Sequence, residues 1–124
     1  MADPRHALGH HVEGAVAEWL TRTGWTVLAR RVRSPGGGEV DIVAIDPDRV
    51  LVAVEVRARR RPRAGSAAES VDRRRIERMR RTLAALAPSA PPHAGLRIDL
   101  VAAEPTGDEG DTWCLRRMAG IEAS

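Results

Sequence analysis

The chain lacks several residue types outright. Its 124 residues include no Lys, no Asn, no Gln, no Phe and no Tyr. All twenty cations are therefore Arg, and these absences read as a compositional bias of the source genome. Without Phe or Tyr, the core has to be built from Leu, Val, Ile, Ala and the three Trp. The single cysteine, Cys114, excludes an internal disulfide, and a reducing cytoplasm is the simple reading. No apolar run approaches the ~18 residues of a membrane span. The first sixteen residues, MADPRHALGHHVEGAV, have no apolar signal-peptide core. GxxxxGK, GxGxxG and CxxC are absent, no Ser/His/Asp triad can be argued, and there are no internal repeats.

What is present suits one modest globular domain spanning 1–124, with its core at about 4–103 and a C-terminal hairpin strand and tail at 104–124. The net charge is only +3, but it is unevenly spread. Residues 57–81 hold eleven Arg against Glu69, Asp72 and Glu77, a local excess of +8, while the remainder carries −5. Such a field fits a polyanion, because three acids cannot pair eleven cations. A solvated helix face laced with ion pairs is the plainer alternative.

Asp3-Pro4 is a good helix start, and Leu8, Val12, Ala15, Val16, Trp19 and Leu20 recur at helical spacing up to Gly24. Trp25–Arg33 reads as a strand and residues 34–38 as a turn. Glu39–Asp46 and Val50–Arg59 read as strands, turning at Pro47-Asp48-Arg49. Arg60–Gly65 is a basic loop, and Ser66-Ala-Ala-Glu69 fits a capping box before a second helix. That helix buries Val71, Ile76, Met79, Leu83 and Leu86. A linker over 88–95 leads to strand Leu96–Ala103, then a turn and a short last strand, Thr112–Arg117. The order is α-β-β-β-α-β with an extra β.

Charges inside the apolar strands need an explanation. In an antiparallel hairpin, paired residue numbers add to a constant. A loop of Pro47 to Arg49 pairs Asp46 with Val50, and thus Val43 with Ala53, Asp41 with Glu55, and Glu39 with Arg57. Opposed residues have Cβ atoms ~5 Å apart. Two carboxylates so placed repel, unless one is protonated, a cation neutralises them, or a divalent metal lies between them. Oxygen ligands suit Mg²⁺. A surface ion pair would account for Glu39 and Arg57 but leaves Asp41 and Glu55 unexplained. Glu13, beside small Gly9 and Ala17 on the first helix, could reach the same place. His6 and His10 at i,i+4, with Glu13, form a weaker Zn²⁺ candidate that nothing nearby completes.

Gly9 and Glu13, Gly24, Gly38-Glu39-Val40-Asp41, Val54-Glu55-Val56-Arg57-x-Arg59, Gly65, Ser70-Val71-Asp72-Arg73-Arg74-Arg75 and Arg97-Ile98-Asp99 resemble the pattern of the YraN-type uncharacterised protein family. The resemblance runs from about Leu8 to Ala103. That family is similar in fold to archaeal Holliday-junction resolvases and the wider PD-(D/E)xK nucleases. It implies an α/β fold: a restriction-endonuclease-like αβββαβ core with a central mixed sheet flanked by helices. It also implies that Asp41 and Glu55 hold Mg²⁺ or Mn²⁺ with help from the Val56 carbonyl. Glu13 would complete the cluster through water, and Arg57 stands where the pattern has a catalytic Lys. Arg59, Arg60, Arg61, Arg63, Arg74 and Arg75 would bind nucleic acid, and a homodimer follows by analogy with the resolvases.

Two readings result. One is a metal-dependent endonuclease-like protein acting on branched or single-stranded DNA. The other is a nucleic-acid-binding protein that retains the fold but is catalytically impaired. Arg57 divides them: Arg stays protonated and planar, so it can neutralise a phosphate but cannot act as a base.

Overall fold

Val12, Val16 and Leu20 recur every four residues and are wholly buried, so one stripe of the first helix docks on the rest of the molecule. This architecture comes from a computed structural model that describes residues 4–35, 38–58, 72–106 and 112–122, with side chains from residue 11 onward. The first helix spans Pro4–Arg22 (α1). Gly24 ends it as predicted, at φ +95°, a conformation that only glycine adopts without strain. The Trp25 amide donates to the Leu20 carbonyl at 3.0 Å and the Gly24 amide to the Thr21 carbonyl at 3.3 Å, closing the helix end.

Strands Thr26–Val32 (β1), Val40–Ile45 (β2) and Leu51–Ala58 (β3) follow, then helix Arg73–Leu86 (α2), a 3-10 turn at Ala87–Ser89, and strands Leu96–Pro105 (β4) and Trp113–Met118 (β5). This is the expected order, αβββαβ with a fifth strand. The strands form one five-stranded sheet in the order β1-β2-β3-β4-β5. β3 and β4 are parallel, since α2 crosses between them, and the other pairs are antiparallel. The sheet is therefore mixed.

The β2–β3 turn sets its register as its length requires. The Asp46 amide donates to the Val50 carbonyl, and Asp46 Oδ1 accepts the amides of Asp48 and Val50, each at 2.9 Å. Arg49 takes φ +69° to complete the turn. Ile45 then pairs with Leu51, Val43 with Ala53 and Ile42 with Val54.

Alternation along the central strands divides the core. Ile42, Ala44, Val52, Val54, Val101 and Ala103 pack on α1. Val43, Ile45, Leu51, Ala53 and Ile98 pack with Met79 and Leu83 of α2 on the other face. Burying each Val, Leu, Ile or Met side chain among them contributes roughly 1.5–3 kcal/mol. The N-cap of α2 is Asp72, whose carboxylate accepts the Arg75 amide at 2.8 Å. The basic loop and the capping box read at Ser66–Glu69 lie outside the described residues. Among the described residues, no helix is long and apolar enough to cross a membrane.

Candidate functional site

The β2–β3 ladder stops at Ile42–Val54, one rung before the two carboxylates would face each other. β2 stays bonded to β1 as far as Val32–Val40, so it leaves β3 while keeping its other neighbour. The hairpin splays there. The Val56 amide, which has lost its ladder partner, donates to Asp41 Oδ2 at 2.8 Å. Val40 accordingly joins the α2 side of the core, and strict alternation fails at Asp41.

Glu55 is 3% exposed. Burial raises the Asp41 pKa most, the Glu55 charge and a side-chain hydrogen bond with Glu55 raise it further, and the Val56 amide and Arg75 pull it back. The net result lifts Asp41 from 3.8 to about 8. At neutral pH Asp41 therefore holds a proton and shares it with Glu55.

α2 supplies the counter-charge. Arg75 Nε donates to Glu55 Oε2, and Arg75 Nη2 donates to Glu55 Oε1 at 3.1 Å and to the Glu39 carbonyl at 3.2 Å. The guanidinium thus bridges β3 and the residue just before β2, inside the splay. Burial opposes the charge on Arg75, but its bonding to Glu55 outweighs this and raises its pKa. Arg57 Nε lies 3.9 Å from Glu55 Oε1, buried and without a hydrogen-bond partner. One turn of α2 further on, Arg78 packs on Gly38, and the wholly buried Thr82 hydroxyl bonds the Gly38 carbonyl (3.2 Å) and the Ser34 hydroxyl (3.0 Å). α2 therefore clamps both ends of the β1–β2 connection that leads into the site.

The predicted residues fare differently. Asp41, Glu55 and Arg57 come together. Glu13 does not join them as a third ligand: α1 lies over the opposite face, where the nearly buried Glu13 is held by Arg30 (3.3 Å) and Arg31 (3.6 Å) of β1. Among the described residues, no three His, Cys, Asp or Glu could hold a metal together. Glu39 does not pair with Arg57; the splay carries it away, and Arg33 takes it at 3.2 Å. Arg74 is exposed on α2, whereas Arg75, expected to face nucleic acid, turns inward. Arg59, Arg60, Arg61 and Arg63 lie outside the described residues, as do the side chains of His6 and His10.

Sequence reasoning missed two structural roles. Thr82 falls on the buried stripe of α2, at i+3 from Met79 and i+7 from Arg75, so its helical phase was a usable signal. Arg97 and Asp99 are two apart in a strand and so share a face, where they join Asp46 and Arg117.

The fold and site define a small mixed α/β domain with a carboxylate pair, the buried Glu55 and the half-buried Asp41, and an arginine from the crossing helix on Glu55 at the open end of a hairpin. The chain belongs to the uncharacterised protein family UPF0102, whose family model matches residues 12–103. It is 40% identical over 110 residues to a UPF0102 protein of Symbiobacterium thermophilum, covering 86% of this chain and 89% of that protein. A UPF0102 protein of Kineococcus radiotolerans is 37% identical over 121 residues, covering 94% of each chain. Another, of Streptomyces coelicolor, is 42% identical over 100 residues, covering 78% of this chain and 75% of its own.

Proposed function

We propose that this protein is a metal-dependent, endonuclease-like phosphodiesterase acting on DNA, with Asp41 and Glu55 as its metal ligands. The observation that carries the reading is the half-buried Asp41 hydrogen-bonded to the buried Glu55, with the Asp41 pKa raised to about 8 by burial and by Glu55. A structural ion pair has no use for the second carboxylate. A hard divalent cation does, since it removes the repulsion that burial and Glu55 impose. Oxygen donors of this kind fit Mg²⁺ or Mn²⁺, which would supply Lewis-acid polarisation of a phosphate oxygen.

The chain's own residues account for the rest. The planar guanidinium of Arg57, with its unbonded, buried Nε, is suited to neutralising a phosphate oxygen rather than to removing a proton from water. Arg74 and the other exposed arginines of α2 offer phosphate contacts that carry no sequence information. Analogy with the resolvases would extend the reading to branched or single-stranded DNA and to a homodimer, and the single cysteine suits a reducing cytoplasm.

The test is incubation of the purified protein with labelled branched and linear DNA, with Mg²⁺ or Mn²⁺. Metal-dependent cleavage that disappears in Asp41→Ala is the expected result. Cleavage that survives in Asp41→Ala, or none at all, would overturn the reading. Salt-sensitive DNA binding without cleavage would favour the catalytically impaired alternative.

A further inference from the structure

Both oxygens of Glu55 are engaged by Arg75. Arg75 occupies Oε2 through Nε and Oε1 through Nη2, and the same Nη2 also holds the Glu39 carbonyl. Asp41 has given Oδ2 to the Val56 amide. A divalent cation approaching this pair would compete with Arg75 for the Glu55 oxygens. It would also meet the guanidinium and Arg57 as like charges at contact distance in a partly buried site, where repulsion is poorly screened. Metal and Arg75 therefore compete for Glu55.

Arg75 can move without unfolding its helix. Its backbone amide is anchored by Asp72 at the N-cap. Its side chain is 25% exposed and has a flexible stem leading to solvent.

We propose that Arg75 is a resident counter-ion that competes with the divalent metal for Glu55, so that it sets the metal affinity of the site and closes the splay between β2 and β3 when metal is away. The proposal rests on the metal-site reading above. Arg75 is a positioning residue in it, because it acts through Glu55. The metal affinity of the wild type is then reduced by the fraction of time that Arg75 holds Glu55.

The experiment is calorimetric titration of the full chain with Mn²⁺, in wild type, Arg75→Gln and Arg75→Lys. Arg75→Gln should bind Mn²⁺ about tenfold or more tightly than wild type, with Arg75→Lys between them. In parallel, Mg²⁺ is titrated into wild type, and the Arg75 Nε–Hε signal is followed in proton–nitrogen correlation spectra. It should lose its hydrogen-bonded position in step with metal binding. This second measurement decides alone if Arg75→Gln does not fold. Metal binding that leaves the signal unmoved, or that is unchanged or weaker in the variants, would overturn the proposal while leaving the metal site standing. If wild type and both variants bind no metal, the metal-site reading falls and takes this proposal with it.

Discussion

Two acid–arginine clusters lie in this sheet, and they handle charge in opposite ways. In one, the wholly buried Asp99 accepts Arg97 Nε (2.7 Å) and Nη2 (2.9 Å), Arg117 Nη1 (2.9 Å) and the Gly120 amide (3.0 Å). Arg97 Nη1 also reaches Asp46 Oδ2 at 2.9 Å, and the Trp25 ring lies beneath Arg97 and Arg117, 6.0 and 5.3 Å from its centroid. Two acids meet two cations, and all the acid oxygens are bonded. Burial alone would raise the Asp46 pKa, but the Val50 amide, Arg97 and the Asp48 amide outweigh it and lower the value. In the other cluster, Asp41 and Glu55 share Arg75, Arg57 Nε is left unbonded, and Asp41 is driven up to about 8. The first cluster is finished by the fold. The second leaves Arg57 Nε unbonded and Asp41 strongly shifted, which is what separates a candidate site from a structural charge network.

Breaking the finished cluster should have the largest effect. Asp99→Ala strands Arg97 and Arg117 beside a buried cavity and should cost about 3–5 kcal/mol in urea unfolding, the scale expected when one partner of a buried pair is removed. An effect below about 1 kcal/mol would mean that the network is screened like a surface pair.

The unfinished cluster should respond to pH in the reverse sense. Asp41 keeps its proton in the folded chain up to about pH 8 but loses it near 3.8 when unfolded, so the folded state carries the extra proton across that window. Stability from this group is therefore greatest below about pH 4 and falls as pH rises to 8. Asp41→Asn should match wild type near the acid end and become the more stable protein as pH rises. Parallel stability curves for the two would show that Asp41 is not protonated by its surroundings. The smallest effect is expected at the clamp. Thr82→Val leaves the Gly38 carbonyl and the Ser34 hydroxyl without their partner and should cost about 1–2 kcal/mol, read by thermal or urea denaturation.

Much of this was legible in the chain. The Asp46-Pro47-Asp48-Arg49 turn fixed the hairpin register, because a short turn leaves one pairing that keeps Ile45 and Leu51 inside. Gly24 marked the end of α1, and helical spacing found Met79 and Leu83. The same arithmetic failed past Ile42, because counting residues assumes that two strands stay paired. β2 follows β1 instead, and the Glu39–Arg57 pair is lost with the ladder.

The sequence alone determined the element order, the two apolar faces, and the fact that Asp41 and Glu55 come from neighbouring positions in one hairpin. These are local matters, settled by alternation, helical phase and turn length. The tertiary structure decided where the hairpin opens, that Glu13 lies with Arg30 on the far face, and that Arg75, twenty residues beyond Glu55, is the arginine that bonds it. No local pattern carries that information. Which arginine reaches a buried carboxylate depends on how a crossing helix packs on the sheet, and with every cation an Arg, residue type could not single one out.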